Sequence, residues 1–191
     1  MTGIFFAVVG KSGVGKDTLL VHAKTQLAQA EKYYFPTRTI TRPFLSYGEK
    51  HNSISADDFL RKTREGKFCL WWEAHGYHYG LPNEINEKLQ SGCNVLANIS
   101  RRSVLGAAEK FDQIAVIEIT LEAETIRKRL IGRGRESERE ILNRQNREVD
   151  SDWRGALQVA TICNDGEPAV ATRRLVDKIL TLAASQTFEQ A

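Results

Sequence analysis

Four predominantly apolar runs alternate with stretches of helical periodicity along most of the chain. Because the runs lack the polar–apolar alternation of half-exposed strands, they predict strands buried on both faces. The predicted strands cover residues 4–9, 94–99, 114–120 and 159–163. The stretches with helical spacing cover residues 16–29, 102–110, 122–131 and 167–184. Strands and helices in alternation predict an α/β fold with a parallel core sheet and helices on both faces.

The pattern changes in residues 34–92, where Arg, Tyr, Trp and His are mixed with turn residues. Two apolar and aromatic segments, 68–72 and 77–79, flank a His-Gly turn and predict a β-hairpin. A short helix is predicted to open at Ser55, which is followed by two aspartates. A second helix is predicted to start at Pro82, because proline is favoured in a first helical turn.

Residues 10–18, directly after the first predicted strand, read GKSGVGKDT. Gly10 to Lys16 match the phosphate-binding loop pattern G-x-x-x-x-G-K. Glycines let backbone N–H groups approach phosphate oxygens, and the start of the following helix adds the positive end of a dipole. We predict that Lys16 bridges the β- and γ-phosphates of ATP and acts in catalysis. The predicted nucleotide-binding residues are Gly10, Lys11, Ser12, Gly13, Val14, Gly15, Lys16, Asp17 and Thr18.

The residue after the loop lysine departs from the general pattern. A Ser or Thr usually follows the lysine and binds Mg²⁺ through its hydroxyl, whereas here Asp17 follows and Thr18 comes next. A carboxylate is also a hard oxygen ligand that suits Mg²⁺. The metal is therefore expected at Asp17, at Thr18 or on an intervening water. The structural alternative is that Asp17 only places negative charge in the first turn of the helix.

Residues 127–147 are rich in arginine and contain a Gly132-Arg-Gly-Arg135 break in the helical pattern. Arginine is the planar, bidentate ligand for phosphate. We therefore predict a closing lid at about residues 132–148, which brings Arg133, Arg135 and Arg144 to the transferring phosphoryl group. A solvated helical face with i,i+4 charge pairs is the structural alternative. A nucleic-acid patch is not supported, because no aromatic residues are interleaved with the arginines.

The chain has 191 residues, which is interpreted as a single domain. Its net charge of +3 is small. The core is assigned to residues 1–33 and 93–191. Three scattered cysteines without a CxxC pair argue against a zinc site or a disulfide framework, and each is expected to be a small buried hydrophobic residue. No signal peptide or membrane span is predicted, so a cytoplasmic location is expected.

The order of these parts resembles the guanylate kinase superfamily across nearly the whole chain. The segments that carry the resemblance, besides the phosphate-binding loop and the arginine-rich lid, are TRTITRP at 37–43, GEKH at 48–51, EAHGYHYGLP at 73–82 and NDG at 164–166. Within the superfamily, GKD at 15–17, WEAHG at 72–76 and RGRE at 133–136 are most similar to the ribose 1,5-bisphosphate phosphokinases of bacterial phosphonate breakdown. The resemblance implies a P-loop kinase fold with an acceptor-binding insert and a lid.

The resemblance also implies an acceptor-phosphate site made by Arg38, Arg42 and Tyr79. His51 stands where guanylate kinases usually have a phosphate-binding tyrosine. Glu73 stands at the position of the glutamate that reads guanine. Two roles stay open for Glu73: a structural carboxylate that holds the hairpin or an arginine, and an acceptor of hydrogen bonds from ribose hydroxyls.

Ser100 departs from the guanylate kinase pattern, in which the strand near this point ends in an acid that helps to recognise the acceptor base or to organise the metal. Losing that carboxylate would leave N–H donors of guanine unpaired, which is a large penalty for that base. Arg101 and Arg102 follow and suit an acceptor with more phosphate. Because ligands lie outside the carboxyl ends of parallel strands, we place Ser100 and Arg101 in the acceptor site. The alternative is that both arginines are solvated.

The activity that the resemblance implies is transfer of a phosphoryl group from ATP, with Mg²⁺, to the 1-phosphate of ribose 1,5-bisphosphate. The products would be 5-phosphoribosyl 1-diphosphate and ADP. Guanylate kinase activity on GMP is the alternative. A catalytically inactive interaction module is a more remote one, because such modules typically lack the lysine found here at Lys16. We expect a small-molecule substrate and neither nucleic acid nor a membrane as partner, and the sequence leaves a homodimer open.

Overall fold

The computed structural model describes residues 2–28, 32–43, 51–132 and 153–188. Its core is a five-stranded sheet in the order β2-β7-β1-β8-β9, in which every neighbouring pair is parallel. The strands are β1 (Phe5–Val9), β2 (Tyr33–Tyr34), β7 (Asn94–Asn98), β8 (Ile114–Thr120) and β9 (Val159–Cys163). The predicted parallel α/β fold is thereby confirmed, and each of the four predicted strands is present.

Apolar cores cover both faces of this sheet, which explains why its strands read as continuous apolar runs. Along β1, Phe6 and Val8 face one core while Phe5, Ala7 and Val9 face the other. The first core is closed by the helices α1 (Lys16–Leu27), α5 (Ala123–Gly132) and α7 (Pro168–Phe188). The second is closed by α3 (Glu84–Gln90), α4 (Val104–Ala108) and Trp153 of the short helix α6 (Trp153–Ala156), together with a second sheet.

The second sheet has the strand order β4-β3-β6-β5. It contains β3 (Thr39–Ile40), β4 (Asn52–Ser53), β5 (Phe68–Ala74) and β6 (Tyr77–Pro82). The predicted hairpin is present as β5 and β6, whose two-residue turn has positive φ at His75 (55°) and Gly76 (73°). Positive φ at both turn positions matches the right-handed twist of the flanking strands.

Helix α2 (Ala56–Arg64) opens as predicted, because the Ser55 hydroxyl accepts a hydrogen bond from the backbone N–H of Asp58 at 3.1 Å. The predicted helix start at Pro82 is wrong. Pro82 is the last residue of β6, and the N–H of Asn83 still donates to the carbonyl of Lys67 at 3.0 Å. Pairing with the segment before β5 therefore holds the chain extended to this point, and α3 begins only at Glu84.

The predicted helix at 102–110 is divided into a 3₁₀ turn over Arg101–Ser103 and α4 over Val104–Ala108. The expectation that each cysteine is buried holds for Cys69, whereas Cys93 is only half-buried, and it is wrong for Cys163, which is exposed. In the part of the chain that the structure describes, no helix combines the length and the apolar character needed to cross a bilayer.

Candidate active site

The loop between β1 and α1 is folded around the side chain of Lys16. The Lys16 Nζ donates to the carbonyl oxygens of Gly10 at 2.8 Å and Lys11 at 3.0 Å. Two positions in the loop accept only glycine for steric reasons. A Cβ on Gly10 would lie 2.4 Å from the carbonyl oxygen of Ile119, and one on Gly15 would lie 2.5 Å from Nδ2 of Asn164. The close packing and the ammonium inside the loop are the features that a phosphate cradle needs.

Asn164 is hydrogen-bonded to the loop between β1 and α1. Its Nδ2 donates to the carbonyl of Val14 at 2.6 Å, and its backbone N–H donates to the carbonyl of Thr120 at 2.8 Å. The residue is 4% exposed, and its Oδ1 is a buried acceptor without a partner among the described residues. Asn164 thus joins the ends of β8 and β9 to the loop between β1 and α1, which we call the nucleotide loop.

Asp17 connects the start of α1 to the end of β7 and to the approach to β3. Its Oδ1 accepts from Nδ2 of Asn98 at 2.6 Å and from the Arg38 guanidinium at 3.2 Å. The other terminal nitrogen of Arg38 donates to the carbonyl of Asn98 at 3.0 Å. Arg38 and Asn98 are both buried. The structure therefore brings a predicted nucleotide-side residue and a predicted acceptor-side residue into direct contact.

Tyr79 lies beside Arg38, whose guanidinium carbon is 5.8 Å from the centre of the tyrosine ring. The Tyr79 ring stacks on Trp72 with ring centres 5.5 Å apart and planes 5° apart, which fixes the tyrosine from the core side. Arg38 and Tyr79, two of the predicted acceptor ligands, are thus adjacent.

Arg42 and His51 form a second pair, which lies next to the strands β3 and β4. Nε2 of His51 lies 3.3 Å from the Arg42 carbonyl oxygen, which also accepts from the Ser53 hydroxyl at 2.8 Å. Because a carbonyl only accepts, this contact selects the His51 tautomer with the proton on Nε2. The Nε of Arg42 is buried and has no hydrogen-bond partner within the described residues.

Glu73 is not brought to this cluster. It pairs across the hairpin with His78, whereas the preceding residue, Trp72, pairs with Tyr79. Since successive side chains of a strand alternate between the two faces of a sheet, Glu73 lies on the face opposite to Tyr79, where it is exposed. Strand alternation therefore directs Glu73 away from Arg38 and Tyr79, and its role as a substrate ligand stays a prediction.

The structure separates the two arginines that follow β7. Ser100 caps the 3₁₀ turn, since its hydroxyl accepts from the backbone N–H of Arg102 at 3.3 Å. Arg101 is half-buried, while Arg102 is exposed. Burial lowers the pKa of the Arg101 guanidinium, and the nearby charge of Glu118 opposes that shift.

Glu118 and Arg154 were missed by the sequence reasoning. Glu118 lies in β8, level with Val9 at the carboxyl end of β1, and its carboxylate is hydrogen-bonded to Arg154 in α6. A signal was present, because position 118 is the one acid in the apolar run from 114 to 120. An acid at a core position of a buried strand needs a cationic partner nearby.

Several predicted residues lie outside the part of the chain that the structure describes. They include the predicted lid arginines Arg133, Arg135 and Arg144 and the GEK portion of the segment 48–51. Within the described residues, no group of three or more acidic, histidine or cysteine side chains is positioned to hold a metal ion. A phosphate-bound Mg²⁺ needs only one or two protein oxygens, and Asp17, with 44% of its side chain exposed, fits that requirement, as does the exposed Thr18.

No protein-family model matches the chain. The ribose 1,5-bisphosphate phosphokinase PhnN of Brucella melitensis biotype 2 is 39% identical over 181 residues, which cover 95% of this chain and 94% of the relative. The protein of the same name from Thiobacillus denitrificans is 37% identical, with 96% of each chain covered. Among solved structures, guanylate kinase from Anaplasma phagocytophilum shares the fold, with a TM-score of 0.68 and 16% identity over 95% of this chain and 87% of that one. The chain therefore belongs to the ribose 1,5-bisphosphate phosphokinase family.

Proposed function

We propose that this chain transfers a phosphoryl group from ATP to the 1-phosphate of ribose 1,5-bisphosphate, giving 5-phosphoribosyl 1-diphosphate and ADP. The observation that carries the proposal is the identity of 37–39% with proteins of that name over 95–96% of the chain. The nucleotide loop with Lys16 in place is the chemistry that such a transfer requires.

The acceptor oxygen belongs to a phosphate that is already anionic near neutral pH, so the reaction needs no general base. Catalysis then consists of positioning and of neutralising charge. Lys16 stabilises the charge that develops on the transferring group. The backbone N–H groups of residues 10–18 hold the nucleotide phosphates.

Mg²⁺, when bound, neutralises the charge of the nucleotide phosphates and aligns them. Asp17 or Thr18 would hold it, because both lie in the first turn of α1 next to Lys16. Asp17 is the stronger candidate, since a charged carboxylate binds a hard cation more tightly than a hydroxyl does.

The acceptor is proposed to bind on the insert, residues 34–92, where Arg38, Arg42, His51 and Tyr79 supply ligands for its phosphates. Their support is the adjacency of Arg38 to Tyr79 and of Arg42 to His51.

Arg101 is proposed to bind a second phosphate of the sugar from the carboxyl end of the core sheet, with Ser100 holding the turn that presents it.

For Glu73, the structural role is favoured over contact with ribose, because the residue is exposed on the face opposite to Tyr79.

The lid is proposed to comprise residues 132–148, with Arg133, Arg135 and Arg144 approaching the transferring group. Their support is the sequence alone: arginine rather than lysine flanks a glycine-containing break.

The decisive experiment compares acceptors directly. Purified protein is incubated with labelled ATP and Mg²⁺, and with either ribose 1,5-bisphosphate or GMP, and kcat/KM is measured for each. We expect ribose 1,5-bisphosphate to be preferred by at least an order of magnitude. A preference for GMP would replace the proposed function by guanylate kinase activity, and turnover of neither would reject both.

A further inference from the structure

We infer that Asp17 is a positioning residue for Arg38, and that through this contact the nucleotide loop sets the geometry of the acceptor-phosphate site. The inference rests on the proposed function in one respect: it takes Arg38 to bind an acceptor phosphate. We refer to Asp17, Asn98 and Arg38 as the junction. Its members come from the first turn of α1, the last residue of β7 and the approach to β3.

The junction holds Arg38 at two points. One terminal nitrogen donates to Asp17 Oδ1 at 3.2 Å, and the other donates to the Asn98 carbonyl at 3.0 Å. Two hydrogen bonds to separate acceptors fix the plane of a guanidinium. The Tyr79 ring, 5.8 Å from the guanidinium carbon, bounds it on another side. Because a bound phosphate is recognised by the direction of the N–H groups, a guanidinium whose plane is already fixed loses less entropy on binding.

The charge of Asp17 has a further physical role. The Arg38 side chain is only 10% exposed, and a guanidinium removed from water to that degree needs an opposite charge or strong hydrogen bonds. Asp17 provides the carboxylate that forms an ion pair with it. A serine or threonine hydroxyl, the usual group at this position of a phosphate-binding loop, is neutral and therefore provides no counter-charge.

Asn98 directs the carboxylate of Asp17 toward Arg38. Its Nδ2 donates to the same oxygen, Asp17 Oδ1, at 2.6 Å, and Asn98 itself is 7% exposed. Asn98 thus uses both its side chain and its backbone carbonyl to join the other two residues. Asn98 and Arg38 both donate to Oδ1 of Asp17, so the positioning role is compatible with a cation at Oδ2.

The inference predicts how each substitution changes the affinity for the acceptor. Asp17→Ala is expected to weaken acceptor binding about tenfold, the change that corresponds to loss of one charge-assisted hydrogen bond. Asp17→Asn keeps an acceptor oxygen but not the charge, so an intermediate effect is expected. Arg38→Ala is expected to weaken acceptor binding about tenfold to a hundredfold.

The test is a double-mutant cycle on the acceptor dissociation constant, measured by calorimetry with ribose 1,5-bisphosphate and separately with GMP. If Asp17 acts through Arg38, the double variant Asp17→Ala/Arg38→Ala binds the acceptor within about twofold of Arg38→Ala alone. Additive effects of the two substitutions would overturn the inference. So would an Asp17→Ala variant that keeps wild-type acceptor affinity and changes only its ATP affinity or Mg²⁺ requirement.

Asp57→Ala is the matched control. Asp57 occupies the first turn of α2 as Asp17 occupies that of α1, and it is exposed. The control removes the favourable charge–dipole interaction of a first-turn acid without touching the junction, so acceptor affinity should be unchanged. If the wild type binds GMP and not ribose 1,5-bisphosphate, the proposed function fails, while the same cycle with GMP still decides the role of Asp17.

Discussion

The guanidinium of Arg154 is hydrogen-bonded to the carboxylate of Glu118, whose side chain is 7% exposed while that of Arg154 is 52% exposed. The pair ties helix α6, which is the first described element after the predicted lid, to β8, the strand beside the central strand β1. Arg154, the partner of the buried Glu118, lies shortly after residues 132–148, the segment predicted to move.

Removing the cation should destabilise the fold, because a buried carboxylate is left without its main partner. We expect Arg154→Ala to lower the free energy of unfolding by about 1–2 kcal/mol, less than for a fully buried pair because Arg154 is half in water. Urea denaturation measures this. Arg173→Ala, an exposed arginine of α7, is the control and should change stability by less than about 0.5 kcal/mol. Equal stability of the two variants would show that the pair contributes nothing.

Lys16→Ala should abolish phosphoryl transfer while the protein stays folded. The lysine lies in the loop and contributes charge where the transition state develops it, so we expect kcat to fall by at least about a hundredfold. Circular dichroism and a thermal melt check the fold of the variant. A kcat near that of the wild type would disprove the catalytic assignment of the loop.

The two arginines after β7 should differ in their effect on the acceptor. Arg101 is half-buried and Arg102 is exposed. With ATP saturating, Arg101→Ala is expected to raise the KM of the acceptor about tenfold to a hundredfold, since a desolvated charge-assisted contact to phosphate is lost. Arg102→Ala serves as the matched control and should shift it by less than about twofold. If neither variant shifts the KM, the second phosphate is bound elsewhere.

Substitution in the predicted lid should affect kcat more than the KM of ATP. Arg133→Ala and Arg135→Ala each remove a contact that is expected to form mainly in the transition state. Lys128→Ala removes a charge of the same sign from α5, where the side chain is 74% exposed, and should leave both constants unchanged. Tolerance of alanine at 133, 135 and 144 would make the basic stretch an ordinary solvated surface.

The cysteines should differ in reactivity toward a thiol-alkylating reagent. Burial raises the pKa of Cys69 to about 11, so at pH 8 almost no thiolate is present there, and the side chain is also shielded. Cys163 is exposed. Mass spectrometry of the native protein after brief alkylation should find Cys163 modified well before Cys69. Modification of Cys69 at a similar rate would indicate that the hairpin opens readily.

The parts of the fold that could be predicted are those in which local pattern and tertiary environment agree. The strand Phe5–Val9 is apolar throughout because both of its faces are buried, and that pattern needs no knowledge of its neighbours. The strands Thr39–Ile40 and Asn52–Ser53 have two residues each, which is too short for any periodicity. They exist because each finds a partner in the second sheet.

In the candidate site, too, some features follow from a local pattern and others depend on tertiary partners. The phosphate-binding loop is a local motif and could be recognised from nine consecutive residues, 10–18. The side to which Glu73 points depends on its pairing with His78, and the partner of Glu118 comes from a helix 36 residues further along the chain. Neither relationship can be predicted from the spacing of these residues in the sequence.

The central position of β1 also bears on how the protein is made. The nucleotide loop lies within the first 18 residues, yet the strand that supports it is flanked by β7 and β8, which begin at Asn94 and Ile114. During synthesis, the two edges of the segment Phe5–Val9 stay unpaired until β7 and β8 have both been made. A chain that ends before Ile114 would expose an apolar, unpaired strand edge, and such an edge is an aggregation hazard.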